Sequence, residues 1–379
     1  MRLTCFYALL CVFFMSFALG YPLFEQFPQL THQIPYKALG TLPTPVHRLE
    51  IIGKILGHNQ LYVKCDDLTG AFVNGSPVFG GNKVRKLEIL LADALNKKAA
   101  SVLTMGCAGS NHALATAWYA QLLKLPAQLV LAPQCPSDIV RRNLLLDLYT
   151  GATIIPVQNR NERLEKTAEF KKTLGDALYV IPVGGSVPLG SIGYVNAVFE
   201  LKDQIKQGLV PEPDVIYVAI GSGGTAAGLI LGVRAAGLKS IVRPIAVDTD
   251  DFPAILGKLV PQTNKLLHDL DKNFPLFDWQ PKDFVVETSQ IGKGYGVITP
   301  EAKEALELLK RTEGIVLEGT YSAKAFAAVV RDITSGGLEG KKVLFWNTFS
   351  AGDFADIVAK MDYHKLPVTM HHYFEETAS

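Results

Sequence analysis

A lysine that follows two glycines and an asparagine is the clearest candidate for covalent chemistry. It is Lys83 in the run FGGNKVRKLE, residues 79–88, after which apolar residues recur at helical spacing up to Leu95. A lysine held at a helix start beside other cations can have its amine pKa lowered by like charge and by desolvation. Such an amine can attack an aldehyde and hold it as a Schiff base. Taken alone, the run is more readily explained as a helix N-terminus with solvated lysines, so the rest of the chain must decide.

A glycine-rich loop is suited to binding an anion. It consists of Gly221, Ser222, Gly223, Gly224 and Thr225. It follows an apolar stretch that predicts a strand and precedes a predicted helix, so backbone N–H groups and the helix N-terminus would both favour negative charge. No lysine follows the last glycine and the dinucleotide spacing is absent, which excludes both nucleotide-binding fingerprints. The alternative is a tight turn that binds nothing.

Three further segments carry polar side chains after predicted strands. Ser110, Asn111 and His112 could bind a substrate carboxylate, although taken alone the segment is better explained by Ser110 capping the next helix. Tyr295 and Tyr321 lie in glycine-containing loops, where phenols can pass protons near a cofactor or can simply pack. No histidine is accompanied by other metal-ligand residues, so we predict no metal site.

Short apolar strands alternate with helices along most of the chain, which predicts an α/β fold with two parallel sheets and a cleft between them. Residues 21–48 are rich in proline and aromatics and predict an extended arm on a domain surface. We further expect strands at residues 49–52, 284–288 and 315–317. A helix is expected within residues 255–277, interrupted at Pro261.

The first twenty residues have the pattern of an export signal, with one early positive charge, an apolar run and small residues before Tyr21. An uncleaved membrane anchor is the alternative, although the apolar run is short for a spanning helix. Export would leave three cysteines, an odd number that predicts no complete disulfide framework. The 37 basic and 36 acidic residues are balanced, which argues against a nucleic-acid or membrane-surface partner.

Taken together and in this order, these motifs resemble the pyridoxal-phosphate-dependent family of D-cysteine desulfhydrases and 1-aminocyclopropane-1-carboxylate deaminases. The GGNK-x-RKLE run and the Ser110-Asn111-His112 triplet are specific to that family, and the resemblance extends from about Leu42 onward. It implies the tryptophan-synthase-β-like fold (PLP fold type II), made of two three-layer αβα domains. The implied large domain comprises residues 21–98 and 197–379, and the small domain residues 99–196. The family also suggests a homodimer.

The resemblance also implies a role for each candidate residue. Lys83 would be the Schiff-base lysine of pyridoxal 5'-phosphate, with Asn82 beside it. The glycine loop, Gly221 to Thr225, would hold the phosphate. Asn111 would bond the phenolic oxygen of the cofactor and Ser110 the substrate carboxylate. The remaining implied positions are Tyr295 and Tyr321 on the substrate side and Ser322 facing the pyridine nitrogen.

The serine at 322 is the most informative departure from the deaminases, which resemble this chain but have a glutamate there. A hydroxyl cannot supply the negative charge that keeps the ring nitrogen protonated. Because β-elimination with a good leaving group needs less carbanion stabilisation than opening a cyclopropane ring, we predict elimination. The substrate is expected to be a small D-amino acid, D-cysteine giving pyruvate, hydrogen sulfide and ammonia. Deamination, and an exported binding protein without catalysis, are the alternatives.

Overall fold

The computed structural model describes residues 21–70, 72–73 and 76–375; the predicted export signal lies outside them. The strands within these residues, in chain order, are β1 (Val46–Arg48), β2 (Leu61–Cys65), β3 (Phe72–Val73), β4 (Ser76–Pro77), β5 (Ser101–Cys107), β6 (Ala127–Ala132), β7 (Thr153–Pro156), β8 (Leu178–Ile181), β9 (Val215–Ile220), β10 (Ile241–Ala246) and β11 (Val343–Asn347).

The helices, again in chain order within the described residues, are α1 (Pro22–Gln26), α2 (Leu30–Gln33), α3 (Glu50–Ile55), α4 (Lys83–Asn96), α5 (Asn111–Leu122), α6 (Asp138–Tyr149), α7 (Arg160–Leu174), α8 (Pro188–Lys206), α9 (Gly224–Ala236), α10 (Phe252–Leu270), α11 (Pro300–Glu313), α12 (Ser322–Thr334), α13 (Ala355–Val358) and α14 (His372–Glu375). None of these described helices is both long and apolar enough to cross a membrane.

Two sheets confirm the predicted α/β class. One has the order β1-β2-β11-β9-β10, parallel except for the antiparallel edge strand β1. The other has the order β7-β6-β5-β8 and is parallel throughout. Purely parallel pairing requires both faces to be covered by crossover helices. Along β9, Ile216 and Val218 face one apolar cluster with α8 and α9, whereas Tyr217 faces another with α12.

The division into domains stays a prediction. The four-stranded sheet is built entirely from residues 101–181, and the five-stranded sheet from segments on either side of it in the chain. The predicted boundary at residues 196–197 falls inside α8, a continuous helix whose side chains pack in the core with α9. A boundary ahead of α8 would therefore describe the packing better.

The N-terminal segment is not an extended surface arm throughout, so that prediction was wrong. Residues 22–26 and 30–33 are short helices, and Leu23, Phe27 and Leu30 are buried in the core beside α8. Pro22 stands at the first turn of α1, where its missing N–H costs nothing. The Leu23 backbone N–H donates to the buried Asn196 side chain at 2.9 Å. The conformation of this segment is therefore determined by its apolar side chains at helical spacing and not by its prolines.

The predicted strand at residues 49–52 was also wrong. Leu49 does pair with β2 through its N–H, but the chain then turns into α3. The backbone N–H groups of Ile51 and Ile52 donate to the carboxylate of Glu313, at 2.8 and 2.9 Å. A distant acid therefore satisfies the free N–H groups of this helix start, a contact that local sequence cannot reveal.

Three predictions in the C-terminal half need correction. Residues 281–284 form a short 3₁₀ helix and only Glu287 makes a single bridge to β10, while no strand occurs at residues 315–317. Helix α10 continues through Pro261 and ends at Leu270. Proline removes one helical hydrogen bond. Burial of the apolar face that includes Leu256, Val260 and Leu267 keeps the helix intact around it.

Candidate active site

A single cavity of about 510 Å³ brings together most of the predicted site residues. It opens at the carboxyl ends of β5 and β9, one strand from each sheet, where parallel α/β proteins commonly bind ligands. The predicted residues that line it are Asn82, Lys83, Ser110, Asn111, Gly221, Ser222, Gly223, Thr225, Tyr295 and Tyr321. Gly224 and Ser322 do not line it.

Lys83 is the first residue of α4, and its side chain enters the cavity. Gly81 makes this approach possible: its φ is +92°, and a Cβ there would lie 2.8 Å from the carbonyl oxygen of Phe349. The Lys83 amine donates to Asn82 Oδ1 at 2.7 Å, and Asn82 in turn donates to the Thr225 hydroxyl at 3.0 Å. Burial lowers the pKa of Lys83 to about 8, although Glu318 partly opposes this. A substantial fraction of the amine is therefore neutral near pH 8 and able to act as a nucleophile.

The glycine loop forms a cradle at the N-terminus of α9. Gly223 has φ +90°, which turns the chain sharply out of β9. The Gly224 N–H donates to Ser186 Oγ at 2.9 Å, and that hydroxyl is 2.8 Å from Ser222 Oγ. A Cβ on Gly224 would lie 2.9 Å from the Lys86 amine. Backbone donors, a helix N-terminus and a cation thus converge on one place, an arrangement suited to a phosphate.

Lys86 is the residue that sequence reasoning missed. It is 1% exposed and donates to the carbonyl oxygen of Gly184 at 3.0 Å. No carboxylate of the described residues lies within ion-pair distance of it. Burial, and then the neighbouring charge of Lys83, lower the pKa of its amine well below the usual value. The available signal was the three-residue spacing from Lys83, which puts both amines on one helix face.

The orientation of Asn111 follows from its neighbours. Asn143, fully buried on α6, donates through Nδ2 to the Gly109 carbonyl at 2.9 Å and to Asn111 Oδ1 at 3.0 Å. A backbone carbonyl can only accept, so it fixes the Asn143 amide and therefore the Asn111 amide as well. Arg142 donates to the other end of Asn143, at 2.9 and 3.1 Å. The Asn111 NH₂ group is thereby left for a ligand oxygen in the cavity.

Ser110 does cap α5, because its hydroxyl accepts from the Ala113 N–H at 3.1 Å. The bond shows that Ser110 has the capping role that its position predicts. Ser110 also lines the cavity, so it can serve both purposes. His112 also lines the cavity, with Nε2 2.9 Å from the Thr104 hydroxyl, and burial lowers its pKa well below the usual value. It is therefore neutral at physiological pH.

Tyr295 and Tyr321 meet inside the cavity, with their hydroxyl oxygens 2.7 Å apart. Burial raises the pKa of both phenols, so both stay protonated at neutral pH. Cys107 and Arg163 line the same cavity. This end of the cavity contains proton donors contributed by loops and by one helix.

Ser322 is the predicted residue that the structure places differently. It is 1% exposed at the start of α12, and its hydroxyl accepts from the Glu318 N–H at 2.9 Å. Glu318 lines the cavity in its place, although its carboxylate is engaged by the N–H groups of Thr320, Tyr321 and Ser322, at 2.6 to 3.0 Å. The assignment of Ser322 to the ring nitrogen stays a prediction.

Comparison with known proteins agrees with this geometry. A family model described as pyridoxal-phosphate dependent enzyme matches residues 37–348. A Thermotoga maritima protein, named provisionally as a 1-aminocyclopropane-1-carboxylate deaminase, is 36% identical over 316 residues, which are 82% of this chain and 94% of that protein. The mitochondrial bifunctional D-cysteine desulfhydrase/1-aminocyclopropane-1-carboxylate deaminase of Arabidopsis thaliana is 34% identical over 82% of this chain and 77% of its own length.

A solved structure is similar throughout. The crystal structure of an ACC deaminase homologue superposes with a TM-score of 0.73 at 32% identity, covering 90% of this chain and 99% of its own. The residues of this cavity fit the cofactor that the family model names. Lys86 is a buried amine without a carboxylate partner among the described residues, and it lies beside the glycine cradle, 2.9 Å from the position of a Cβ on Gly224. A phosphate group bound there would balance the charge of Lys86, and Lys83 would supply the amine that binds the aldehyde of the cofactor.

Proposed function

The chain belongs to the pyridoxal-phosphate-dependent enzymes, and from that premise we propose that it catalyses β-elimination on a small D-amino acid. D-cysteine and water would give pyruvate, hydrogen sulfide and ammonia. One observation carries the class of reaction: Lys83 presents a partly buried amine with a lowered pKa in the same cavity as the phosphate cradle. When bound there, the cofactor supplies the electron sink that stabilises negative charge at the substrate α-carbon.

The residues of the chain divide the remaining tasks. Lys86, Ser222 and the N–H groups at the start of α9 hold the phosphate, and Ser110 with the start of α5 receives the substrate carboxylate. The Lys83 amine, held by Asn82 Oδ1, is placed to take the α-proton. The hydrogen-bonded phenols of Tyr295 and Tyr321 are placed to donate a hydrogen bond to the departing sulfur.

Elimination is favoured over ring opening by what stands at the start of α12. Ser322 carries no charge and bonds to the backbone of Glu318, while the Glu318 carboxylate accepts three backbone hydrogen bonds. Neither group therefore offers a free carboxylate that could keep the ring nitrogen of the cofactor protonated. A weaker electron sink suffices when the leaving group is a thiol. The second candidate remains 1-aminocyclopropane-1-carboxylate deamination, because relatives at 34 to 36% identity carry that name.

The direct test is a paired substrate assay on the protein loaded with pyridoxal phosphate. D-cysteine should yield sulfide and pyruvate in equal amounts, L-cysteine should yield neither, and 1-aminocyclopropane-1-carboxylate should yield no 2-oxobutyrate. Release of 2-oxobutyrate without sulfide would replace elimination by deamination. A protein without visible cofactor absorption and without either product would be the non-catalytic binding protein.

We also propose that the protein is exported and is a homodimer. The first twenty residues support export, and the family resemblance supports the dimer. N-terminal sequencing of the secreted product should begin at Tyr21, and light scattering should give twice the mass of one mature chain. A retained N-terminus beginning at Met1 would contradict the cleavage.

A further inference from the structure

Two arginines in the first turn of α7, Arg160 and Arg163, line the mouth of the cavity but have different surroundings. Arg160 reaches across to the loop that follows β10, where its guanidinium is 2.7 Å from the Asp248 carboxylate and 3.6 Å from that of Asp250. The charges of these two carboxylates are therefore already engaged. The third carboxylate that lines the cavity, Glu318, accepts three backbone N–H groups.

Arg163 has no such partner. No carboxylate of the described residues lies within 4.0 Å of it, and its best contact is a long one, 3.4 Å from Nη1 to the carbonyl oxygen of Gly106. Its Nε is buried without a hydrogen-bond partner. Burial lowers the pKa of this guanidinium, which still remains charged. A partly desolvated cation with an unused donor is costly unless a ligand supplies an acceptor.

The other groups that face Arg163 do not neutralise it. Burial raises the pKa of the Cys107 thiol and of the Tyr295 phenol, so both are uncharged at neutral pH. Arg160 adds a second positive charge on the same helix. Arg163 and Cys107 line the same cavity as Lys83, at the end where the two tyrosines meet rather than in the phosphate cradle.

We propose that Arg163 is a specificity-determining residue that binds an anionic group at the far end of the substrate side chain. The preferred substrates would be D-cysteine thioethers whose sulfur substituent ends in a carboxylate. This inference rests on the proposed function and names its substrate class. Elimination from such a compound breaks the Cβ–S bond, and the thiolate takes a proton to become a mercapto acid. The remaining three carbons add one water, leaving pyruvate and ammonium.

The test compares S-carboxymethyl-D-cysteine with its neutral amide, S-carbamoylmethyl-D-cysteine, on the cofactor-loaded enzyme. The wild type should bind and convert the acid at least about tenfold better than the amide, since one charge-assisted hydrogen bond is at stake. Arg163→Gln should raise KM for the acid by about tenfold or more with kcat little changed, and should alter KM for the amide by about twofold at most. Arg163→Lys should restore part of the preference.

Arg160→Gln is the matched control, because it removes an equal charge from the same helix turn. Because it also leaves Asp248 and Asp250 without their partner, it should weaken the acid relative to the amide, but far less than Arg163→Gln does. Binding is also followed directly, by the change that each ligand causes in the visible absorption of the bound cofactor. Equal binding of acid and amide by the wild type, or equal losses for both in Arg163→Gln, would overturn the inference. If D-cysteine released no sulfide while an Arg163-dependent preference for binding the acid persisted, the proposed reaction would fail and the subsite would stand.

Discussion

The two ends of the cavity differ in how firmly their residues are held. At the phosphate end, the partners are backbone N–H groups, the buried Lys86 side chain and the partly buried Ser186 side chain. Each of these side chains makes a hydrogen bond of 2.9 to 3.0 Å. At the substrate end, the side chain of Arg160 is 55% exposed and Tyr295 stands on a loop with three positive-φ glycines. The first end is preformed for one ligand, while the second can change its chemistry through a few loop side chains.

Lys83 joins the two ends, so its removal should have the largest effect. Lys83→Ala should abolish covalent cofactor attachment and reduce turnover below detection, because the chain loses both its nucleophile and its α-proton acceptor. Visible absorption and sulfide release are the measurements. Lys97→Ala, which alters an exposed lysine just past the end of the same helix, should leave both unchanged. Persistent turnover in Lys83→Ala would remove Lys83 from the mechanism.

The phosphate end is tested by comparing two buried lysines. Lys86→Met should raise the dissociation constant for pyridoxal phosphate by about tenfold or more, since a charged hydrogen bond to the phosphate is lost. The same change should stabilise the cofactor-free protein, because it removes a buried polar amine that has no carboxylate partner among the described residues. Equilibrium dialysis and thermal unfolding measure the two effects.

Lys64 is the matched contrast, because it is equally buried but ion-paired. Its amine lies 2.5 Å from the Glu200 carboxylate. Lys64→Met should therefore destabilise the protein by about 3 kcal/mol, with or without cofactor, because it leaves part of a buried acid uncompensated. If Lys86→Met also lowered the unfolding temperature of the cofactor-free protein, Lys86 would be a structural residue and not a phosphate ligand.

The pKa of Lys83 predicts how cofactor capture depends on pH. Only the neutral amine attacks an aldehyde, and burial lowers the pKa of this amine to about 8. The rate of pyridoxal phosphate uptake by the cofactor-free protein should rise about tenfold per pH unit from pH 6 to 7 and level off above about pH 8. Stopped-flow absorbance measures it. A rate that kept rising to pH 10 would mean that the amine has the pKa of an ordinary lysine.

The phosphate end of the cavity can largely be predicted from the sequence, whereas the substrate end cannot. The strand-to-helix glycine loop and Lys83 are local patterns, since turn chemistry and helix spacing are contained in neighbouring residues. The role of Lys86 cannot be predicted from the sequence, because the burial of a lysine depends on residues about a hundred positions away, such as Gly184. The start of α3 was misjudged for the same reason, because its N–H partner is Glu313. The charge of the cavity mouth likewise depends on pairs of residues that are distant in the sequence, such as Arg160 and Asp248.

Asn143 gives the smallest effect and the sharpest test of whether the loop behind the substrate end is also preformed. Asn143→Leu removes the donors to the Gly109 carbonyl and to Asn111 Oδ1, so the Asn111 amide can rotate. Turnover should fall by about threefold to tenfold, in proportion to one or two neutral hydrogen bonds. The pKa of the visible cofactor band should shift, since the Asn111 NH₂ group would no longer be held in the orientation that we propose for binding the phenolic oxygen.

Asn143→Asp is the discriminating partner of that variant, because it keeps the shape but replaces two donors by acceptors. Its carboxylate would oppose the Gly109 carbonyl and turn the Asn111 amide around, so the loss of turnover and the shift of the band should both exceed those of Asn143→Leu. A purely structural role would rank the variants the other way, since the larger change of shape is in leucine. Spectral titration of both variants decides, and identical band pKa values in wild type and both variants would show that Asn143 does not orient Asn111.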